Sequence, residues 1–229
     1  MWFKSILLDE PGVMTRKFFT TSAIPITIRS FCYFAEERFV DDDSVRSLME
    51  LFSMLYGADG RHLFIPPLIL EGWRSNAHWA NWEWEKKSMN GGKAEKVFAI
   101  VLMSQHWGAF CVDLTRRKIQ FGDSLSRPIP NDAVSGVRGW LRLSGQDLRH
   151  WSSTVDKFDV PQQPITSGSC AIIAANTIEC TLNPAIECWT HQRSAYHRTR
   201  YLKLLIGYVK VSYHTVGNKN RIANSDVSA

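Results

Sequence analysis

The chain has 229 residues, 45% of them apolar and 21% charged, enough for one sizeable core and an ordinary globular balance, and it holds no apolar run long enough for a membrane-spanning helix. Its net charge of +5 is spread along the sequence rather than gathered in one block, which reads as a solvated surface and not as a nucleic-acid footprint. The five cysteines, Cys32, Cys111, Cys170, Cys180 and Cys188, are an odd number without a CxxC pair, so neither a disulfide framework nor a four-thiolate zinc site is expected, and a reducing intracellular compartment, nuclear or cytoplasmic, fits.

Residues 1–35 mix basic and aromatic side chains without a clean period, and read as an extension ahead of the main domain. The N-terminal apolar stretch is broken by Asp9, Glu10 and Pro11, too short for a signal sequence. Val45, Leu48, Met49, Leu51, Phe52 and Leu55 then follow the helical period, with Asp41 to Asp43 as an acidic start and Gly57 as a stop. Trp73, Trp79, Trp82 and Trp84 form a dense aromatic group expected to pack into the core. Val97 to Met103, Trp107 to Leu114 and Ile119 to Phe121 are three apolar stretches of strand length.

Val134, Val137, Trp140 and Leu141 predict a second helix. Small polar residues Ser167, Gly168 and Ser169 precede an alanine-rich helical stretch, which puts Cys170 at a helix N-terminus. A last amphipathic helix is predicted from about Gln192 to Val211, and the polar tail 213–229 is expected to be disordered. The remaining cysteines read as core residues.

A helix N-terminus and a nearby imidazolium both favour a thiolate, and Cys170 has the first of these. If the strand that follows His106 pairs antiparallel with the strand ending at Asp123, the imidazole comes close to a carboxylate that can orient it and stabilise its charged form. Gln162 or Gln163 could then supply a side-chain amide to a developing oxyanion beside the Cys170 backbone N–H.

The order Gln105-His106-Trp107, Gly122-Asp123-Ser124-Leu125, then Gln162-Gln163 followed by Gly168-Ser169-Cys170, resembles the Ulp1/SENP family of ubiquitin-like-protein proteases. Upstream, Phe39 to Val45 is similar to that family's segment before its first helix. The resemblance covers about residues 36–212. It implies an α+β, papain-like cysteine protease fold, with a central mixed or antiparallel sheet packed against helices and the nucleophile at a helix start.

It further implies Cys170, His106 and Asp123 as catalytic residues, Gln162 or Gln163 at the oxyanion, and Trp107, Phe39 and Asp42 as substrate contacts. Trp107 and Phe39 are expected to form a narrow tunnel over a Gly-Gly tail. No metal or cofactor is implied, and the partner would be SUMO, NEDD8 or ubiquitin, bound by a monomer. Departures from the family pattern are Ser169 and Ala171 on either side of the cysteine, Phe39 in place of a tryptophan, and a glutamine seven or eight residues before the cysteine instead of six.

Three other readings compete. Gly122-Asp123-Ser124-Leu125 with Asp147 and His150 imitates a serine esterase, though in the wrong order and spacing. Cys188-x-x-His191 imitates half a zinc site. A catalytically dead module that grips a ubiquitin-like protein is the non-enzymatic alternative.

Overall fold

The computed structural model describes residues 17–19, 25–67 and 93–208, with side chains from residue 30 onward. The aromatic group at Trp73, Trp79, Trp82 and Trp84 and the tail 213–229 lie outside the described residues. Strands β1 (Lys17–Phe19) and β2 (Pro25–Thr27) pair antiparallel, and helix α1 (Ile28–Ala35) follows directly.

Helix α2 (Asp42–Tyr56) begins and ends where its sequence signals say. The Asp41 side chain accepts the Ser44 N–H at 3.0 Å, satisfying one of the free donors of the first turn, and Gly57 closes the C-terminus. Of the expected apolar face, Val45, Leu48, Met49, Leu51 and Phe52 are buried, and Leu55 is exposed.

The central sheet has five strands in the order β3 (His62–Ile65), β4 (Lys96–Leu102), β5 (Trp107–Asp113), β6 (Lys118–Asp123) and β7 (Val155–Lys157). The inner three are the strands their apolar stretches suggested and pair antiparallel, β5 with β6 as the approach of His106 to Asp123 required, while β3 and β7 add parallel edges and make the sheet mixed. Both faces are covered, which is why β4 and β5 read as continuous apolar runs rather than alternating ones. On one side Phe98, Ile100, Ala109 and Cys111 meet α2 and α4 (Cys170–Leu182). On the other, Val97, Ala99, Val101, Phe110 and Val112 meet α3 (Asn131–Leu143) through Ala133, Val137, Trp140 and Leu141. The last helix, α5, is described over residues 194–208 after a short 3-10 turn at His191–Arg193; it starts two residues later than its pattern suggested, and its expected end at Val211 lies outside the described residues. Phe31 and Phe34 of α1 share the core with α2 and α4, so the packed unit reaches back beyond residue 36.

A fully buried carboxylate ties three helices together. Glu179 of α4 accepts from Tyr56 (2.9 Å) at the end of α2, from Tyr201 (2.9 Å) of α5, and from both terminal nitrogens of Arg200 (2.6 Å each). With every lone pair engaged, the charge is compensated and α4 is fixed in rotation about its own axis.

Candidate active site

Cys170, His106 and Asp123 come from three separate elements and meet at one end of the sheet, where β5 begins and β6 stops. His106 leaves a two-residue hairpin turn, in which Met103 and His106 exchange backbone hydrogen bonds of 2.7 and 3.0 Å. Both turn residues, Ser104 and Gln105, have positive φ (45° and 62°), the pattern that lets a tight hairpin follow strand twist. Neither is glycine or asparagine, so the turn that aims His106 carries backbone strain.

Antiparallel register sets Asp123 opposite Gly108, two residues beyond His106. Nε2 of the buried His106 lies 3.0 Å from Oδ2 of the buried Asp123; the ring N–H points off the oxygen, so this is a close ion contact more than an aligned hydrogen bond. The other carboxylate oxygen is held by the backbone: Oδ1 accepts the N–H of Leu125 (2.6 Å) and of Arg127 (3.2 Å), the local wrap that an Asp-Ser-Leu turn makes. With Nε2 turned to Asp123, Nδ1 is the ring nitrogen left for Cys170, whose side chain is close enough to favour the charged ring.

Cys170 opens α4 and is only 2% exposed. Ala171, Ala174 and Ala175 give that helix a thin face, which lets it lie close against β5 and delivers the thiol to the start of that strand.

Burial works against a charge on His106, but Asp123 and Cys170 outweigh it and carry the ring up to about 9. Burial likewise pushes Asp123 up, yet His106 and the two backbone N–H groups hold it below the usual carboxylate range. His106 titrates near 6.5 when unpaired, so the stabilisation from its contacts is fully present below that pH and is lost as pH rises through about 9. Urea unfolding of the wild type and of His106→Gln should therefore give a stability difference that shrinks between about pH 7 and 10. A difference that stays flat across that window would remove the imidazolium from the site.

The two glutamines separate clearly. Gln162 Nε2 donates to the carbonyls of Asp123 and Val160, both at 3.1 Å, so both of its N–H bonds are engaged. Gln163 Nε2 donates only to the Ser167 carbonyl (3.0 Å), while its Oε1 accepts from Ser124 (3.2 Å), leaving one N–H for another acceptor. The sequence leaves this choice open because it depends on which carbonyls each amide reaches.

Trp107 is 1% exposed, with its Nε1 donating to the Val40 carbonyl at 2.8 Å, and Phe39, 36% exposed, stacks on it at 5.9 Å between ring centroids and 16° between planes. A peptide between two rings needs roughly 7 Å, two ordinary carbon contacts. The expected open tunnel is therefore closed in this state: Trp107 is a core residue, and Phe39 is its cover. Asp42 is exposed, and with Tyr33, Arg38, Phe39, Asp41 and Asp43 it lines a surface depression of about 680 Å³ beside that cover.

Of the other cysteines only Cys111 is a core residue, its thiol pushed up to about 12 by burial, whereas Cys32 and Cys180 are half-buried and Cys188 is exposed. That corrects the reading of all four as core. Among the described residues no group of three or more His, Cys, Asp or Glu side chains is placed to hold a metal. Ser124 is buried and donates to Gln163, and Asp147 and His150 form an exposed contact on a 3-10 turn, so the esterase lookalike has no support.

No protein-family model matches the sequence, and no curated protein sequence matches it. Solved structures do. The C-terminal protease domain of Ulp1, in complex with Smt3, the yeast ortholog of SUMO, aligns with a TM-score of 0.70 at 18% identity over 90% of this chain and 93% of its own. The Ulp1-like SUMO protease catalytic domain of Chaetomium thermophilum aligns with a TM-score of 0.62 at 13% identity, covering 90% of this chain and 89% of its own. A de-sumoylating protease gives 0.52 at 13% identity, with coverage of 92% and 95%. At such identities the likeness speaks to architecture, and the architecture of this chain is the α+β fold of the Ulp1 protease domain.

Proposed function

We propose that the protein is a cysteine peptidase that hydrolyses a peptide or isopeptide bond after the C-terminal Gly-Gly of a ubiquitin-like protein, SUMO or a close relative of it. The carrying observation is the Cys170, His106 and Asp123 constellation, with Cys170 at a helix start, His106 raised to about 9 beside it, and Asp123 at 3.0 Å from the far ring nitrogen.

At neutral pH the ring holds its proton, and an imidazolium next to a helix N-terminus favours the thiolate form of a neighbouring thiol. The sulfur attacks the carbonyl carbon of the terminal glycine; a C–S bond forms as the carbonyl π pair moves onto oxygen. The Cys170 backbone N–H and the free N–H of Gln163 stabilise that oxyanion. Collapse breaks the C–N bond while His106 gives its proton to the leaving amine, leaving a thioester. Water then attacks the thioester carbonyl as His106 takes its proton; collapse breaks the C–S bond, the thiolate returns beside the imidazolium, and the product acid gives its proton to solvent as the carboxylate departs. The reaction needs no redox step.

The test uses SUMO, NEDD8 and ubiquitin, each carrying a C-terminal electrophile. A covalent adduct on Cys170 with one of them, absent from Cys170→Ala, is expected. Binding without an adduct would favour the non-catalytic reading, and no binding at all would set aside ubiquitin-like partners.

A further inference from the structure

The segment leading into α4 is held by a cluster that the triad does not include. Arg198 of α5 is 1% exposed and donates to the carbonyls of Tyr33 (2.7 Å), Glu36 (2.6 Å) and Arg38 (2.9 Å), closing the end of α1 and shaping the loop that carries Phe39. Its remaining donors face the residue before the nucleophile: Nε and Nη2 lie 3.3 and 3.2 Å from Ser169 Oγ.

Glu37 supplies the counter-charge, with Oε2 3.2 Å from Arg198 Nε. It also gathers three hydroxyls, accepting from Ser167 at 2.6 Å, from Ser194 at 2.8 Å and from Ser169. Gly168 sits where the two segments touch backbone to backbone, since a Cβ there would come 2.5 Å from the Arg38 carbonyl carbon.

We propose that Glu37 and Arg198 are positioning residues for the nucleophile, the carboxylate and guanidinium together fixing Ser169 and hence the aim of Cys170 toward His106. This rests on the protease reading. Ser169 is the N-cap of α4 but makes no side-chain cap to its own helix; its hydroxyl is turned to Glu37, Arg198 and Ser194 instead. The direction of the first turn, and with it the Cys170 N–H and thiol, is thus set from outside the helix. The same cluster holds the Phe39 loop, so the cover over Trp107 and the nucleophile share one anchor.

A merely structural role predicts that any loss at Glu37 is read in stability. A positioning role predicts that a carboxylate restored from another direction restores chemistry. The Ser169 hydroxyl already lies against both Arg198 and the Glu37 carboxylate, so an aspartate at 169 would place its oxygens in the space that alanine at 37 vacates.

Wild type, Glu37→Ala, Glu37→Gln, Ser169→Asp and Glu37→Ala/Ser169→Asp are compared by Tm, by kcat and KM on whichever Gly-Gly substrate the electrophile panel identifies, and by the rate of Cys170 alkylation with iodoacetamide, resolved by mass spectrometry. Glu37→Ala and Glu37→Gln should lower kcat ~10²-fold with KM changed less than about threefold, the signature of misplacement rather than lost binding. Ser169→Asp alone sets two carboxylates on one guanidinium and should be comparably slow. The double variant should return to within roughly threefold of wild type in kcat and in alkylation.

A folded Glu37→Gln with wild-type kcat and alkylation would overturn the proposal, as would a folded double variant no faster than Glu37→Ala. If the wild type cuts no ubiquitin-like tail, the protease reading has failed, and the alkylation series alone decides the positioning role.

Discussion

Asp123→Asn is expected to lower kcat/KM by roughly 10³–10⁴-fold while the protein stays folded, and His106→Ala by at least as much. The argument is one of tautomers. Oδ1 of Asp123 is committed to the N–H groups of Leu125 and Arg127 at 2.6 and 3.2 Å, so an asparagine must keep its oxygen there and turn its amide N–H₂ toward His106. An amide donor facing Nε2 makes that nitrogen the acceptor and puts the ring proton on Nδ1, where it can no longer take a proton from Cys170. The asparagine preserves the backbone contacts that an alanine would abandon, each worth about 1–3 kcal/mol when a buried donor is left alone.

Because the two residues act through one ring, combining Asp123→Asn with His106→Ala should cost little beyond His106→Ala alone. The check is kcat/KM for the singles and the double, with Tm measured alongside. Turnover above about a tenth of wild type in a folded Asp123→Asn protein would take Asp123 out of the mechanism.

The second large effect concerns the tail of the substrate. A ubiquitin-like protein ending in Gly-Gly should be cut ~10²-fold or more faster than the same protein ending in Ala-Ala. The ring centroids of Phe39 and Trp107 stand 5.9 Å apart, and the tail must displace Phe39, the exposed partner on a loop, to reach the buried Cys170. A strand lying between ring faces has no room for a Cβ, and glycine has none.

The structure changes which variant tests this. Trp107→Ala would open a cavity in the core and cost about 3–5 kcal/mol, confusing specificity with unfolding. Phe39→Ala removes the accessible wall alone, so the preference for Gly-Gly should shrink at nearly unchanged Tm. Equal rates on the two tails with wild-type enzyme would sink the idea of an aromatic gate and leave the triad untouched.

The sequence by itself determined the elements whose causes are local. The Asp41 cap and Gly57 stop bound α2 because capping is decided within one turn of chain. The three apolar runs became adjacent antiparallel strands because each is joined to the next by a short connection. Cys170 opens a helix because small polar residues precede an alanine-rich stretch, and the register that follows from the hairpin brought His106 to Asp123.

What only the tertiary structure decided depends on partners distant in sequence. The parallel edges β3 and β7 are four and three residues long, too short to show a period, and they exist because a neighbouring strand end was free to pair. The turn at Ser104 and Gln105 carries no glycine or asparagine to announce it, since the pairing of β4 with β5 imposes its positive φ angles. Gln162 and Gln163 look equivalent until their carbonyl partners are known. Nothing in the sequence sets Arg198 apart from the other basic residues, because a cation is recognised as buried only when the helix that carries it is packed against the loop whose carbonyls it binds.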